Sequence, residues 1–437
     1  IPKSVVSAAK ASGLHYLTET TYSHRYYVDM PSVVEDAYFS TGAGDAWHSV
    51  LIGGTRGGGK GVFALDVTDP GAFLEANAAA ISLWEFNDKD DPDMGYSFSV
   101  PTIALLNNNR WAAIFGNGYN NTGDGKAKLF ILFLDGGLDG VWTLGTDYIE
   151  LSTNTGSIAA SKNCADVLSV CNGLSTPQGA DITGDQVVDR VYAGDLQGNM
   201  WAFDLSSADP AAWGVAYSGY PLFKAGQPIT SKPAVIKHPT ELTGAAPNLM
   251  VFFGTGQYLA TADINATATQ GFYGVWDHGS PSLTKTDLVE QTFLPGPFYF
   301  KDSTGAQVAA PTTLRVLSDN KVDYTVTHGW HIQFSGGERI TTDALIYKKA
   351  VLFNTRTPSA SACKSGGNGS QMFVPQATGG SSGLNIFDSN TDGVVNKGDS
   401  LTDDKNTALN AAGFMVADTF TEQSTIIGNK SFTPLTD

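Results

Sequence analysis

Two stretches of this chain place oxygen-bearing side chains at the intervals a divalent cation requires. In the run Asp181, Ile182, Thr183, Gly184, Asp185, Gln186, Val187, Val188, Asp189, side-chain oxygens fall at loop positions 1, 3, 5 and 9, and Val187 at position 7 can offer its carbonyl. That is the spacing of the first nine positions of an EF-hand calcium loop. Ca²⁺ takes about 6 to 8 oxygens at roughly 2.3 to 2.6 Å, and a tight loop turns its odd-numbered side chains toward one centre. Three carboxylates offset the charge of the ion and repel one another without it. The position-6 glycine of an EF-hand is Gln186 here, and a non-glycine residue in the left-handed region costs on the order of 1 kcal/mol. Gly184, two places earlier, can shift the bend. An Asx-turn loop without metal is the competing reading.

The second stretch, "DSNTDGVVNKGD", comes closer to the full pattern: Asp388, Asn390, Asp392, Gly393, Val394, Asn396 and Asp399 stand at positions 1, 3, 5, 6, 7, 9 and 12. Position 12 is Asp rather than Glu, a shorter arm for bidentate coordination, and no helices flank the loop in an obvious way. It reads as a calcium loop inserted in a β-protein; a disordered polar loop is the alternative.

Other candidates are weaker. "NDKDDPDMGY" gathers Asp88, Asp90, Asp91 and Asp93 around Pro92 at spacings that fit no ligand template, and reads as a solvated turn, with a metal site the lesser alternative. His328 and His331 are three apart in a strand pattern, which puts them on opposite faces and makes a poor metal pair. "GTRGGGKG" lacks the Ser or Thr that follows the lysine of a phosphate-binding loop and runs into a strand, so it reads as a hairpin turn. Cys164 and Cys171, seven apart in a polar loop, can close a small disulfide ring in an oxidising compartment, leaving Cys363 over; three buried thiols is the alternative.

The elements that carry these loops are strands. "VLIGGTRGGGKGVFALD", "AAIFGNGYNNTGDGKAKLFILFLD", "RVYAGDLQGNMWAFD" and "LMVFFGTGQYLATADINATATQGFYGVWD" share one plan: an apolar strand, a Gly-rich turn, then an alternating apolar and aromatic strand ending in Asp. The closing residues Asp66, Asp135, Asp204 and Asp277 are 69, 69 and 73 residues apart, an internal repeat. A degenerate copy follows around "ALIYKKAVLFNTRTPSASACKSGGNGSQMFVPQ". Period-2 alternation with Gly-rich turns predicts antiparallel hairpins. A four-stranded propeller blade needs roughly 40 to 50 residues, so a period near 70 leaves about 20 residues of loop per blade. The expectation is an all-β, modified β-propeller of seven blades, or six, over 27–437, with 1–26 a lead-in linker and 379–413 a calcium-loop insertion. Radial stacking leaves only short edges to protect.

Composition agrees. Among 437 residues, 49 Gly and only 16% charged residues, against about 25% in ordinary domains, favour turns and strands. A net charge of -17 without a basic patch argues against nucleic-acid and anionic-membrane binding. No apolar run approaches the roughly 20 residues of a membrane span. The chain starts at Ile1 without an initiator Met or a signal peptide, which points to a processed or excised piece of something longer.

"VLIGGTRGGGKGVFALDVTDP", "WAAIFGNGYN" and above all "DITGDQVVDRVYAGDLQGNMWAFDL" resemble the C-terminal propeller domain of the PilY/PilC proteins, tip-associated adhesins of bacterial type IV pili. The resemblance covers roughly residues 27–354. It implies a modified propeller exported to the surface of a Gram-negative bacterium, at a pilus tip or outer membrane. It also implies roles in pilus biogenesis, retraction control and twitching, and in host-cell attachment as a virulence trait. The implied partners are pilins or minor pilins and the host-cell surface, with calcium controlling pilus function. By position, Asp181, Thr183, Asp185, the Val187 carbonyl and Asp189 match the family's calcium loop, departing from it at Thr183 and Gln186. The Arg-Gly-Asp tripeptide of some members is missing from the sequence, so no receptor carries over. The rival class is an exported quinone-dependent dehydrogenase, since "ALDVTDPG" followed by "LWEF" resembles the tryptophan-docking repeats of those propellers. Those enzymes often place adjacent cysteines beside the cofactor, and this chain has no Cys-Cys pair. The expected protein is therefore not an enzyme.

Overall fold

Alternating apolar residues followed by glycine or asparagine turns make antiparallel meanders, and these dominate the chain. The computed structural model describes residues 2–6, 12–42, 44–239, 247–359, 366–381, 385, 388–427 and 430–435; Cys363 lies outside them. The chain divides into two compact units, Ile1–Pro221 and Leu222–Asp437.

In the first unit, short 3₁₀ turns at Lys3–Val5 and Gly13–Thr18 precede three meanders. The first runs Val33–Ser40, Asp45–Gly54, Gly61–Asp66, Ser82–Asn87, and the second Thr102–Leu105, Trp111–Gly116, Lys126–Phe133, Tyr148–Gly156. The third runs Gln178–Ala180, Arg190–Gly194, Asn199–Asp204, Gly214–Val215, each strand antiparallel to the one before. Val50, Ile52, Val62 and Ala64 of the first sheet pack on Ala113, Phe115, Phe130 and Leu132 of the second. The opposite face of the second sheet, with Ile114, Leu129, Ile131 and Phe133, packs on Val191, Ala193, Trp201 and Phe203 of the third. Burial on both faces is why "LFILF" within Lys126–Phe133 is an unbroken apolar run. The Gly-rich turn at Arg56–Gly58 joins two strands of the first sheet.

The second unit holds two more meanders. One runs Ala234–Lys237, Leu249–Gly254, Gln270–Asp277, Gly329–Phe334, with Val289–Gln291 added in parallel to the last strand. The other runs Leu345–Tyr347, Ala350–Pro358, Gly367–Pro375, Gly413–Val416. Their facing sides share one core in which the rings of Phe272 and Phe353 stack at 3.7 Å. The degenerate fifth copy of the repeat is thus a hairpin like the other four. A smaller sheet joins Gln307–Ala309, Tyr299–Lys301, Leu401–Thr402 and Ala408–Leu409. Its last two strands belong to the insertion between the third and fourth strands of the fifth meander.

The recurrent aspartates have a local cause. Asp66, Asp204 and Asp277 are each the last residue of a third strand, and each carboxylate accepts the backbone N–H two residues on, from Thr68 (3.0 Å), Ser206 (3.0 Å) and Gly279 (3.2 Å). This Asx turn ends the strand and redirects the chain. Asp135 lies two residues beyond its strand and instead accepts from Arg110 Nε at 3.1 Å.

Candidate metal loops

The first acidic loop joins the first two strands of the third meander, Gln178–Ala180 and Arg190–Gly194. Its order comes from carboxylates that accept backbone N–H groups. Asp181 Oδ1 accepts from Gly184 N (2.5 Å) and its Oδ2 from Gln186 N (2.8 Å). Asp185 Oδ1 accepts from Val187 N at 3.0 Å. Asp189, only 4% exposed, turns Oδ2 back into the loop to accept from Ile182 N (2.8 Å) and Thr183 N (3.1 Å). Thr183 Oγ1 sits between the two ends, 3.4 Å from Asp181 Oδ1 and 3.3 Å from Asp189 Oδ2. Desolvation acts to raise it, but the N–H groups of Gln186, Gly184 and Asp185 together hold the Asp181 carboxyl below the usual carboxylate range. Gln186 takes φ +70°, the conformation for which an EF-hand keeps glycine, and Gly184 takes φ +86°.

The second loop is built the same way. Gly393 N, at φ +89°, donates to Asp388 Oδ2 (2.7 Å), and Val394 N to Asp392 Oδ1 (2.8 Å). Asp399, 1% exposed, accepts at Oδ1 from Ser389 N (2.7 Å) and Asn390 N (3.2 Å), and at Oδ2 from Asn396 N (2.7 Å). The position-6 and position-7 amides and the closing carboxylate therefore play matching parts in both loops. Asp189 at position 9 and Asp399 at position 12 are equivalents, which spacing alone had hidden. Asn390 Oδ1 accepts from Asp392 N at 2.9 Å, and Asn396 Nδ2 donates to the Val394 carbonyl at 3.1 Å.

The donor set suits a hard cation: carboxylate, hydroxyl, amide and carbonyl oxygens, with no sulfur or imidazole. In the first loop Asp181, Thr183 and Asp189 are drawn together, while Asp185 stands out toward solvent. Its three carboxylates do not all come within 4.8 Å of one another, nor do those of Asp388, Asp392 and Asp399. An ion here would be held by Asp181, Thr183, Asp185, the Val187 carbonyl and Asp189, and in the second loop by Asp388, Asn390, Asp392, the Val394 carbonyl, Asn396 and Asp399. What it would supply is charge neutralisation of the acids at each centre.

Among the described residues, the three carboxylates that do converge within 4.8 Å are Asp91, Asp93 and Glu150. This corrects the reading of "NDKDDPDMGY" as a solvated turn. Asp91 is 6% exposed and accepts from Tyr148 Oη at 2.8 Å. Lys128 Nζ, on a side chain 5% exposed, pairs with Asp93, with Glu150 at 2.6 Å and with Asp124 at 3.3 Å. One ammonium cannot neutralise all of these acids. Burial first, then Asp91 and Asp93, push the Glu150 carboxyl up to about 7 against the pull of Lys128. Burial opposes the Lys128 charge, but its bonds to Asp93 and Glu150 raise it overall. The one sequence signal was a lysine set among apolar residues in "KAKLFILF". Elsewhere Cys164 and Cys171 are joined, with S–S 2.08 Å.

Stacked four-stranded antiparallel meanders define a β-propeller, here one that carries acidic loops between its strands. A family profile described as the PilY1 beta-propeller domain matches residues 4–294. The type IV pilus biogenesis factor PilY1 of Pseudomonas aeruginosa PAO1 is 36% identical over 436 residues, covering 89% of this chain and 34% of that protein. A PilY1 homolog of Xylella fastidiosa is 35% identical over 387 residues, covering 84% of this chain and 24% of that protein. The crystal structure of the Pseudomonas aeruginosa PilY1 C-terminal domain superposes with a TM-score of 0.73 at 32% identity, over 94% of this chain and 83% of that one. The chain belongs to the PilY1 propeller family, and it spans about a third or less of the length of these curated relatives. No described helix is long and apolar enough to cross a membrane.

Proposed function

We propose that this chain is the calcium-binding propeller of a type IV pilus biogenesis factor. In this reading it is a non-enzymatic platform at the bacterial surface or pilus tip that supports pilus assembly, retraction control and host-cell attachment through contacts with pilins and host surfaces. The observation that carries the calcium part is the matched construction of the two loops. Two segments of different length, in different units, each close an oxygen-only donor set with a buried aspartate that accepts the position-2 and position-3 amides. The pilus part rests on relatives named as biogenesis factors.

Calcium affinity should be in the range of extracellular modules, about 10⁻⁴ to 10⁻³ M. The test is calorimetric Ca²⁺ titration of wild type, Asp185→Ala and Asp392→Ala. These exposed position-5 acids remove charge and a ligand without taking away the buried closing carboxylate. Each variant should lose one of two sites and keep its melting temperature in chelator. Unchanged stoichiometry in both would refute the two-site reading.

A further inference from the structure

The closing carboxylate of the first loop is held from outside the loop as well as from within. Asn107 lies in the turn between Thr102–Leu105 and Trp111–Gly116 of the second meander, 82 residues away in sequence. Its Nδ2 donates to Asp189 Oδ1 at 3.2 Å, to the Val188 carbonyl at 3.3 Å and to the Leu205 carbonyl at 3.0 Å. The backbone reinforces the join: Val188 N donates to the Leu105 carbonyl at 3.0 Å, and Leu205 N donates to the Asp189 carbonyl at 2.8 Å. Asp189 thus divides its oxygens, Oδ2 facing the loop amides and Oδ1 facing the neighbouring sheet.

We infer that Asn107 is the positioning residue of the first calcium loop, fixing the Asp189 carboxylate for the ion and transmitting loop occupancy to the 106–110 turn of the second meander. The inference rests on the calcium reading above. The chemistry is that of an outer-sphere partner. An amide N–H that fixes one oxygen of a ligating carboxylate leaves the other correctly aimed, and removing such partners typically lowers metal affinity by about 10- to 100-fold. The side-chain amide donates without adding charge, so it orients the acid without competing with the ion.

The test uses the full chain carrying Asp392→Ala, so that only the first loop titrates. Ca²⁺ affinity is measured by calorimetry, and amide exchange at Leu106, Asn109 and Val188 with and without Ca²⁺. With Asn107 intact, Ca²⁺ should slow exchange at these three amides. Asn107→Ala should weaken binding roughly tenfold and abolish that slowing. Asn107→Asp, nearly isosteric but without the donor and facing Asp189 with like charge, should weaken it at least as much. A purely structural role for Asn107 would lower stability in chelator and leave the Ca²⁺-induced slowing in place, which would overturn the inference. Tighter binding in Asn107→Asp would also overturn it, by putting position 107 among the ligands. If Asn107→Ala unfolds, Asn107→Asp carries the same test. If the Asn107-intact chain shows no Ca²⁺ binding at all, the calcium reading itself fails and the inference with it, a result distinct from binding that ignores Asn107.

Discussion

Replacing Gln186 with glycine should stabilise the first loop, and the size of the gain can be worked from the backbone. Gln186 sits at φ +70°, where the second loop has Gly393 at φ +89°. A non-glycine residue in that region costs about 1 kcal/mol or more. Glycine removes the cost but brings extra freedom to the unfolded chain, which returns part of it, so the net gain should be about 0.5 to 1 kcal/mol. Little is lost with the side chain, which is exposed, while the Gln186 N–H that reaches Asp181 is retained in the variant. For a cooperative unit of this size that corresponds to a rise of about 2 °C in melting temperature. Gln186→Ala keeps the backbone penalty and serves as the control. Calorimetric melting of both variants with chelator and with Ca²⁺ separates two cases. Because the loop amides are already engaged by Asp181, Asp185 and Asp189, the gain should appear in chelator and leave Ca²⁺ affinity little changed, well short of the roughly 2- to 5-fold that about 0.5 to 1 kcal/mol would give if it were realised only on binding. A gain seen only with Ca²⁺, or equal melting of the glycine and alanine variants, would refute the argument that residue 186 carries the strain.

The buried ion cluster gives two further expectations. Lys128→Met removes the one ammonium that pairs with Asp93 and Glu150 and leaves buried acids facing one another, which should cost about 3 kcal/mol in denaturant unfolding; adding Glu150→Gln should recover part of it. In the unmutated chain the folded-state value of Glu150, about 7, lies above its ordinary 4.5, so the folded state holds a proton that the unfolded state has released between those values. That contribution is fully present below pH 4.5 and is lost as pH rises through about 7. The stability of wild type relative to Glu150→Gln should therefore fall as pH rises across this window, and parallel curves would contradict the assignment.

What was legible in the sequence was what the chain settles locally. Three of the four repeat aspartates share a local cause, an Asx turn that uses only the next two residues, and the acidic loops could be found because their donors lie within 9 or 12 positions of one another. Gln186 was visible as a departure because position 6 has a fixed backbone role. The Lys128 cluster was not legible: beyond Asp124 four residues back, its partners Glu150 and Asp93 stand 22 and 35 residues away, and Tyr148 reaches Asp91 across 57. Polar contacts between strands and loops far apart in the chain leave no spacing signal, and Asn107 met Asp189 in the same unmarked way. The equivalence of Asp189 and Asp399 was hidden for a different reason, since a closing carboxylate is defined by the amides it accepts and not by its count from the first residue.

That equivalence decides how an acidic loop and a core strand can share one short segment. The backbone of Asp189 continues the sheet, its N–H donating to the Ala180 carbonyl and its carbonyl accepting from Leu205, while its carboxylate turns back to organise the loop. The amides gathered on Asp181 stabilise its negative charge. The remaining repulsion between exposed carboxylates is modest, about 1 kcal/mol for a pair 4 Å apart in water. The loop is ordered by its own backbone amides, which Asp181 and Asp189 accept. In the proposed reading, binding would require little ordering beyond bringing Asp185 inward, with its effect concentrated where Asp189 is anchored. On that reading, calcium would accordingly alter the stiffness and charge of the joint between the second and third meanders, where Asn107 and the Leu105 carbonyl meet Asp189 and Val188.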